Sequence, residues 1–129
     1  MAEKEIVRTE GAPAPFEGAP YNQAVKVGEL VFVAGQVGLA ADGTGLVGPS
    51  IAEQTEQVLQ NLRAILEAAG SSLDKLVKTT VFLQSFDDFA EMNEVYARHV
   101  GNRPPARSTV EVAKLPAGAL VEIEAVAHL

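Results

Sequence analysis

The sequence predicts an α+β protein, a mixed β-sheet with two helices packed on one of its faces. Three observations lead there. Strand-like and helix-like stretches follow one another in the order β, β, β, α, β, α, β, β. Each helical stretch carries a single apolar stripe, so each has one face to bury and a sheet to bury it against. The chain has 129 residues, 47% of them hydrophobic, which is the size of one domain, and no internal repeat divides it. Residues 1–129 therefore read as a single unit able to bury a core without a metal or disulfide staple.

The elements follow in order. Ile6-Val7 suit a short edge strand. Residues 10–20 are rich in Gly, Pro and Ala and cannot be a helix interior. Gln23 to Val27 and Leu30 to Val37 are β-prone and flank Gly28-Glu29, where Gly in the first loop position suits a type II′ hairpin. Asp42-Gly43, Gly45 and Gly48-Pro49 mark a loop. Ser50-Ile51-Ala52-Glu53 is a capping box that starts the first helix. Ile51, Val58, Leu62, Ile65, Leu66 and Ala69 recur at helical spacing, and Gly70 ends the run. Leu76 to Leu83, rich in Val, Thr and Phe, reads as a strand largely apolar on both faces. Ser85-Phe86-Asp87-Asp88 is a second capping signal, and Phe89, Met92, Tyr96 and Val100 form the second helix's stripe before Gly101 and Pro104-Pro105. Strands over 107–112 and 119–127, joined across Leu115-Pro116-Ala117-Gly118, close the chain. A sheet face left uncovered by the helices predicts a partner surface.

Composition narrows the function. Net charge is −7, from 17 acidic and 10 basic residues, and the basic ones are scattered. Phosphate backbones attract clustered positive charge, and aromatics at 5% with no Trp supply few stacking platforms, so nucleic acid is not the expected partner. Cys is absent, which removes disulfides and thiol nucleophiles. With only His99 and His128, far apart, no metal site is expected. The N-terminus has no apolar core of signal length, and no run approaches the roughly 18 apolar residues of a membrane span. These features predict a soluble cytoplasmic protein with no membrane partner. Gly43-Thr44-Gly45 lacks the spacing of a phosphate loop, and Ser108 has no base nearby.

Two residues are candidates for chemistry. Arg107 and Glu122 lie on the two last strands, read here as neighbours joined by a turn, so that a guanidinium and a carboxylate could line one pocket. Arg presents a planar fork that holds a carboxylate bidentately. Alternation puts Arg107, Thr109 and Glu111 on one face and Glu122, Glu124 and Val126 on one face of their own strand. Alternation alone would make both residues ordinary surface groups. The wording around them singles them out.

That wording spans nearly the whole chain: Pro20-Tyr21-Asn22-Gln23-Ala24-Val25, Val33-Ala34-Gly35-Gln36, Ala68-Ala69-Gly70, Val77-Lys78-Thr79-Thr80-Val81-Phe82, Phe89-Ala90-Glu91-Met92-Asn93 with Tyr96, Pro105-Ala106-Arg107-Ser108, and Glu122-Ile123-Glu124-Ala125. It resembles the RidA (YjgF) family of 2-iminoacid/enamine deaminases. The resemblance implies a homotrimer of chorismate-mutase-like subunits, sheets inward as a central barrel, with three clefts between subunits. It implies cofactor-free hydrolysis of 2-imino or enamino acids, of the 2-iminopropanoate and 2-iminobutanoate type, to 2-keto acids and ammonia. Arg107 would then bind the substrate carboxylate and Glu122 handle water and protons. Tyr21, Gly35, Asn93 and Thr109 are the further pocket candidates. The alternative is a non-catalytic binder of small carboxylates, or a holdase-like protein. A ribonuclease or translation inhibitor, an activity label associated with parts of the family, fits the acidic charge poorly. The chain departs from the family in Ala34, where Ser is common, in Thr109, where Cys is frequent, and in Ala19-Pro20-Tyr21, where Gly-Pro-Tyr is usual. These departures bear on substrate choice and rate.

Overall fold

A computed structural model describes residues 3–129; Met1 and Ala2 of the N-terminal stretch lie outside the described residues. Six strands form one sheet: β1 (Glu5–Val7), β2 (Ala24–Val27), β3 (Leu30–Val37), β4 (Leu76–Leu83), β5 (Ala106–Glu111) and β6 (Val121–His128). Their spatial order is β1-β2-β3-β6-β4-β5. Only β4 and β5 pair in parallel. Helices α1 (Ile51–Ala68) and α2 (Phe89–Val100) cover one face, as expected.

Local signals placed these elements. Gly28 adopts φ +58 in the two-residue turn between β2 and β3, as a type II′ turn requires at that position. Ser50 and Glu53 make the reciprocal capping box of α1. Its stripe is buried from Ile51 to Ala69, and Gly70 (φ +89) turns the chain out of the helix. Ser85 does accept a bond from the Asp87 amide, but it caps a short 3-10 turn (Phe86–Asp88) that leads into α2 rather than α2 itself.

Four expectations change. First, β5 and β6 are not neighbours, because β4 lies between them. The chain β4–α2–β5 is a strand-helix-strand crossover, which pairs its strands in parallel. Second, β4 is not apolar on both faces. A register shift between Leu76 and Lys78 leaves Val77 bulged outward, and Lys78, Thr80 and Phe82 face away from the helices while Thr79, Val81 and Leu83 are buried. Third, Phe89 leaves the stripe of α2 and is 37% exposed. Fourth, the last strand starts at Val121; Ala119 and Leu115 instead join Val37 and Leu39 in a small second core.

That second core covers one end of the face turned from the helices, where Val37, Glu122 and Phe82 stand side by side. The rest of that face presents Ile6, Leu30, Phe32 and Val110, each between 39% and 50% exposed. Exposed apolar residues of this kind suit a partner.

Candidate functional site

Glu122 sits mid-strand on β6, flanked by Val37 of β3 and Phe82 of β4. Beside it, the β3–β6 register shifts between Val33 and Gln36, a bulge that frees Ala34 and Gly35 from the ladder. The Glu122 carboxylate packs against Gly35 so closely that a Cβ there would lie 2.5 Å from Oε2. Glycine at 35 is thus set by close approach. Tyr21, Phe16, Gly35, Gln36 and Glu122 line a cavity of about 20 Å³, room for about one water. Burial raises the proton affinity of Glu122 above the usual carboxylate range, and the neighbouring Glu124 charge adds to the rise.

The Pro-rich loop completes this niche because Gln23 pins it. The buried Gln23 amide accepts from the Thr9 N–H (2.8 Å) and donates to the carbonyls of Thr9, Ala12 and Pro13 (3.0, 3.2 and 2.9 Å). The Tyr21 hydroxyl accepts from the Phe16 N–H at 2.9 Å, which holds its ring over the niche. The sequence reading missed Gln23; its signal was an amide leading directly into an apolar strand. Tyr21 also borders a larger cavity of about 540 Å³, whose lining includes Phe32, Ala34, Lys78, Thr80 and Glu124. The hydroxyl that Ser would carry at 34 is absent from that wall.

Arg107 is the register partner of Thr79, whose buried side chain faces the helices. Its guanidinium lies 4.9 Å from the Tyr96 ring centroid and 5.7 Å from that of Phe89. No carboxylate neutralises it: among the described residues the ion pairs are Lys26–Glu5 and His99–Glu56. Asn93 occupies the same face of α2 as Phe89 and Tyr96, and its buried Oδ1 has no hydrogen-bond partner. Thr109 follows on the Arg107 side of β5, half-buried.

The structure therefore sorts the predicted residues into two groups. Tyr21, Gly35 and Glu122 come together on the face away from the helices. Arg107, Asn93 and Thr109 gather at the β5 edge on the helix side. Arg107 and Glu122 do not line one pocket of a single chain. They lie on opposite faces, two strands and three register steps apart, about 10 Å in each direction. No group of three metal-ligating side chains occurs among the described residues, and no helix is long and apolar enough to cross a membrane.

A six-stranded mixed sheet with two helices on one face is the architecture of the L-PSP/RidA family structures. The crystal structure of RidA from the Antarctic bacterium Psychrobacter matches with a TM-score of 0.92 at 42% identity, covering 97% of this chain and 99% of that one. The family model described as endoribonuclease L-PSP matches residues 10–129, and the chain belongs to that family, the YjgF/RidA family. A RutC family protein of Pyrococcus horikoshii is 50% identical over 97% of this chain and 98% of its own length. The mouse protein named 2-iminobutanoate/2-iminopropanoate deaminase is 42% identical over 96% of this chain and 90% of its own. Imine deaminases are thus among the family's named members.

Proposed function

We propose that this protein hydrolyses reactive 2-imino and enamino acids to 2-keto acids and ammonia, in clefts between the subunits of a homotrimer. One observation carries the reading: the half-buried Glu122 carboxylate, set against Gly35 beside room for one water, with its proton affinity raised by burial. A raised affinity brings a carboxylate nearer the range in which it can take and return a proton at neutral pH.

The chemistry follows from these parts. The substrate carboxylate lies on the free fork of Arg107, which fixes the imine carbon relative to the rest of the cleft. The enamine tautomer first takes a proton at carbon to become the imine. Glu122 removes a proton from the water as its oxygen bonds to the imine carbon, and the C=N π electrons move to nitrogen. The proton then passes to that nitrogen. The hydroxyl proton then passes through the Glu122 carboxylate to the amine nitrogen, the O–H electrons form the C=O bond, and the C–N pair leaves with nitrogen, giving keto acid and ammonia. No electron is lost or gained, so the step calls for orientation and a proton shuttle.

The separation of Arg107 and Glu122 on one chain supports a site completed by a second copy, with the exposed Ile6, Leu30, Phe32 and Val110 covered in the assembly. The net charge of −7 favours a small substrate over RNA, despite the endoribonuclease wording of the family description. The test is a coupled assay. A dehydratase is supplied with serine or threonine, and keto-acid release is timed with and without this protein. Acceleration is expected, and Arg107→Ala should remove it while weakening pyruvate binding by about 30-fold or more. Pyruvate binding lost with Arg107→Ala, but no acceleration with any imine, would leave only a carboxylate binder.

A further inference from the structure

We propose that Thr79 and Tyr96 are positioning residues for Arg107: their hydroxyl pair locks the Tyr96 ring, and that ring, with Phe89, holds the guanidinium by its face while leaving its edge free for the ligand. The proposal rests on the carboxylate-binding role of Arg107 stated above and adds how the fork is aimed.

Arg107 poses a physical problem. It stands on β5, at the edge of the sheet, with a long side chain whose rotamer freedom opposes any fixed geometry. A protein usually fixes an arginine with a carboxylate. That solution would occupy the same N–H donors that a substrate carboxylate must use. Here the guanidinium meets no carboxylate among the described residues and instead lies 4.9 Å from Tyr96 and 5.7 Å from Phe89. Ring faces attract the cation without consuming its in-plane donors.

The ring must itself be held for this to work. Tyr96 is 5% exposed, and its hydroxyl lies 2.6 Å from Oγ1 of Thr79, which is 1% exposed. Thr79 is the register partner of Arg107, so the residue that anchors the ring stands beside the residue the ring holds. Burial raises the pKa of the Tyr96 hydroxyl, while the Thr79 bond and the charge of Arg107, with a weaker hydrogen-bond contribution from one of its N–H groups, oppose the rise. The pair also satisfies two buried hydroxyls, a structural role, so the positioning role must be read from Arg107 order and ligand affinity and not from stability.

The experiment measures Arg107 order and ligand affinity separately. Nitrogen relaxation of the Arg107 Nε–H group in the ligand-free protein should show an ordered side chain in wild type and a mobile one in Tyr96→Leu. Pyruvate affinity by calorimetry should fall about 3- to 30-fold in Tyr96→Leu, the range for loss of a cation–π contact. Tyr96→Phe and Thr79→Val each remove the same bond and keep the ring. Each should lose less, and the double variant no more than either alone. In turnover the losses should appear in KM with kcat little changed. Tyr96→Phe also guards against misfolding of Tyr96→Leu, since it retains the buried ring. Unchanged Arg107 order and affinity in folded Tyr96→Leu, or additive losses in the Thr79/Tyr96 cycle, overturn the proposal. If Arg107→Ala itself leaves pyruvate affinity unchanged, the carboxylate site fails as well. If Arg107→Ala abolishes binding while the Thr79 and Tyr96 variants bind normally, only the positioning role falls.

Discussion

Two inactive variants should restore each other. Arg107 and Glu122 stand on opposite faces of one chain, about 10 Å apart in each sheet direction, so a site that uses both must take them from different copies. Arg107→Ala and Glu122→Gln are each expected to abolish most turnover. In an equal mixture of the two, half the subunits carry an intact arginine and the other half an intact glutamate. With random assembly into a ring, a cleft draws Arg107 from one subunit and Glu122 from its neighbour, so about one quarter of clefts regain both. The mixture should therefore reach about 25% of wild-type turnover after the subunits are dissociated, mixed and reassembled. The same proteins combined without exchange should stay at the floor. Mass spectrometry of tagged subunits verifies that exchange has occurred. A mixture that stays at the floor despite proven exchange refutes the reasoning, because a site built within one chain is never repaired by mixing.

Glu122→Gln should lower turnover about 10²- to 10⁴-fold with little change in ligand affinity, whereas the exposed Glu124 should tolerate Gln. Because burial holds the folded pKa of Glu122 above the ordinary glutamate value, the native state binds more protons than the unfolded state as pH rises through that window. Its ionisation thus costs stability at neutral pH, and Glu122→Gln should melt higher than wild type at pH 7 but not below pH about 4, as calorimetric scans would show. Gly35→Ala should push the Glu122 carboxylate aside and cost activity with a near-normal melting temperature. Gly38→Ala should instead destabilise the fold by about 1–3 kcal/mol, since its Cβ would lie 2.9 Å from the Gln54 backbone of α1; denaturant melts separate the two outcomes. Sedimentation equilibrium should give about three times 13.6 kDa, and a stable 13.6 kDa monomer at micromolar concentration would remove the interface site.

The features that were legible in the sequence are local ones. Ser50 and Glu53 sit three residues apart and satisfy each other's backbone amides whatever the rest of the chain does. Gly28 can take its positive φ in any fold. The faces of β5 and β6 were also legible, because alternation is a property of each strand alone: Arg107 and Thr109 share a side, and so do Glu122 and Glu124. What alternation does not give is which side of one strand matches which side of another. That depends on strand order, and the short link from β5 to β6 suggested a hairpin. One helix joins β4 to β5 and another joins β3 to β4, and each connection leaves its two strands parallel; the first pair lies side by side, but the second admits β6 between its members, so the connections alone do not fix the order. The alternate residues Val121, Ile123, Ala125 and Ala127 are all buried on the helix face, and β6 takes the inner place beside β3 and β4. Setting β4 between the two strands puts Arg107 on the Thr79 side and Glu122 on the Phe82 side, an odd number of register steps apart and therefore on opposite faces. A correct strand order read from sequence would have shown that one copy cannot hold both groups in one pocket, and would have led to a site between copies on geometry alone.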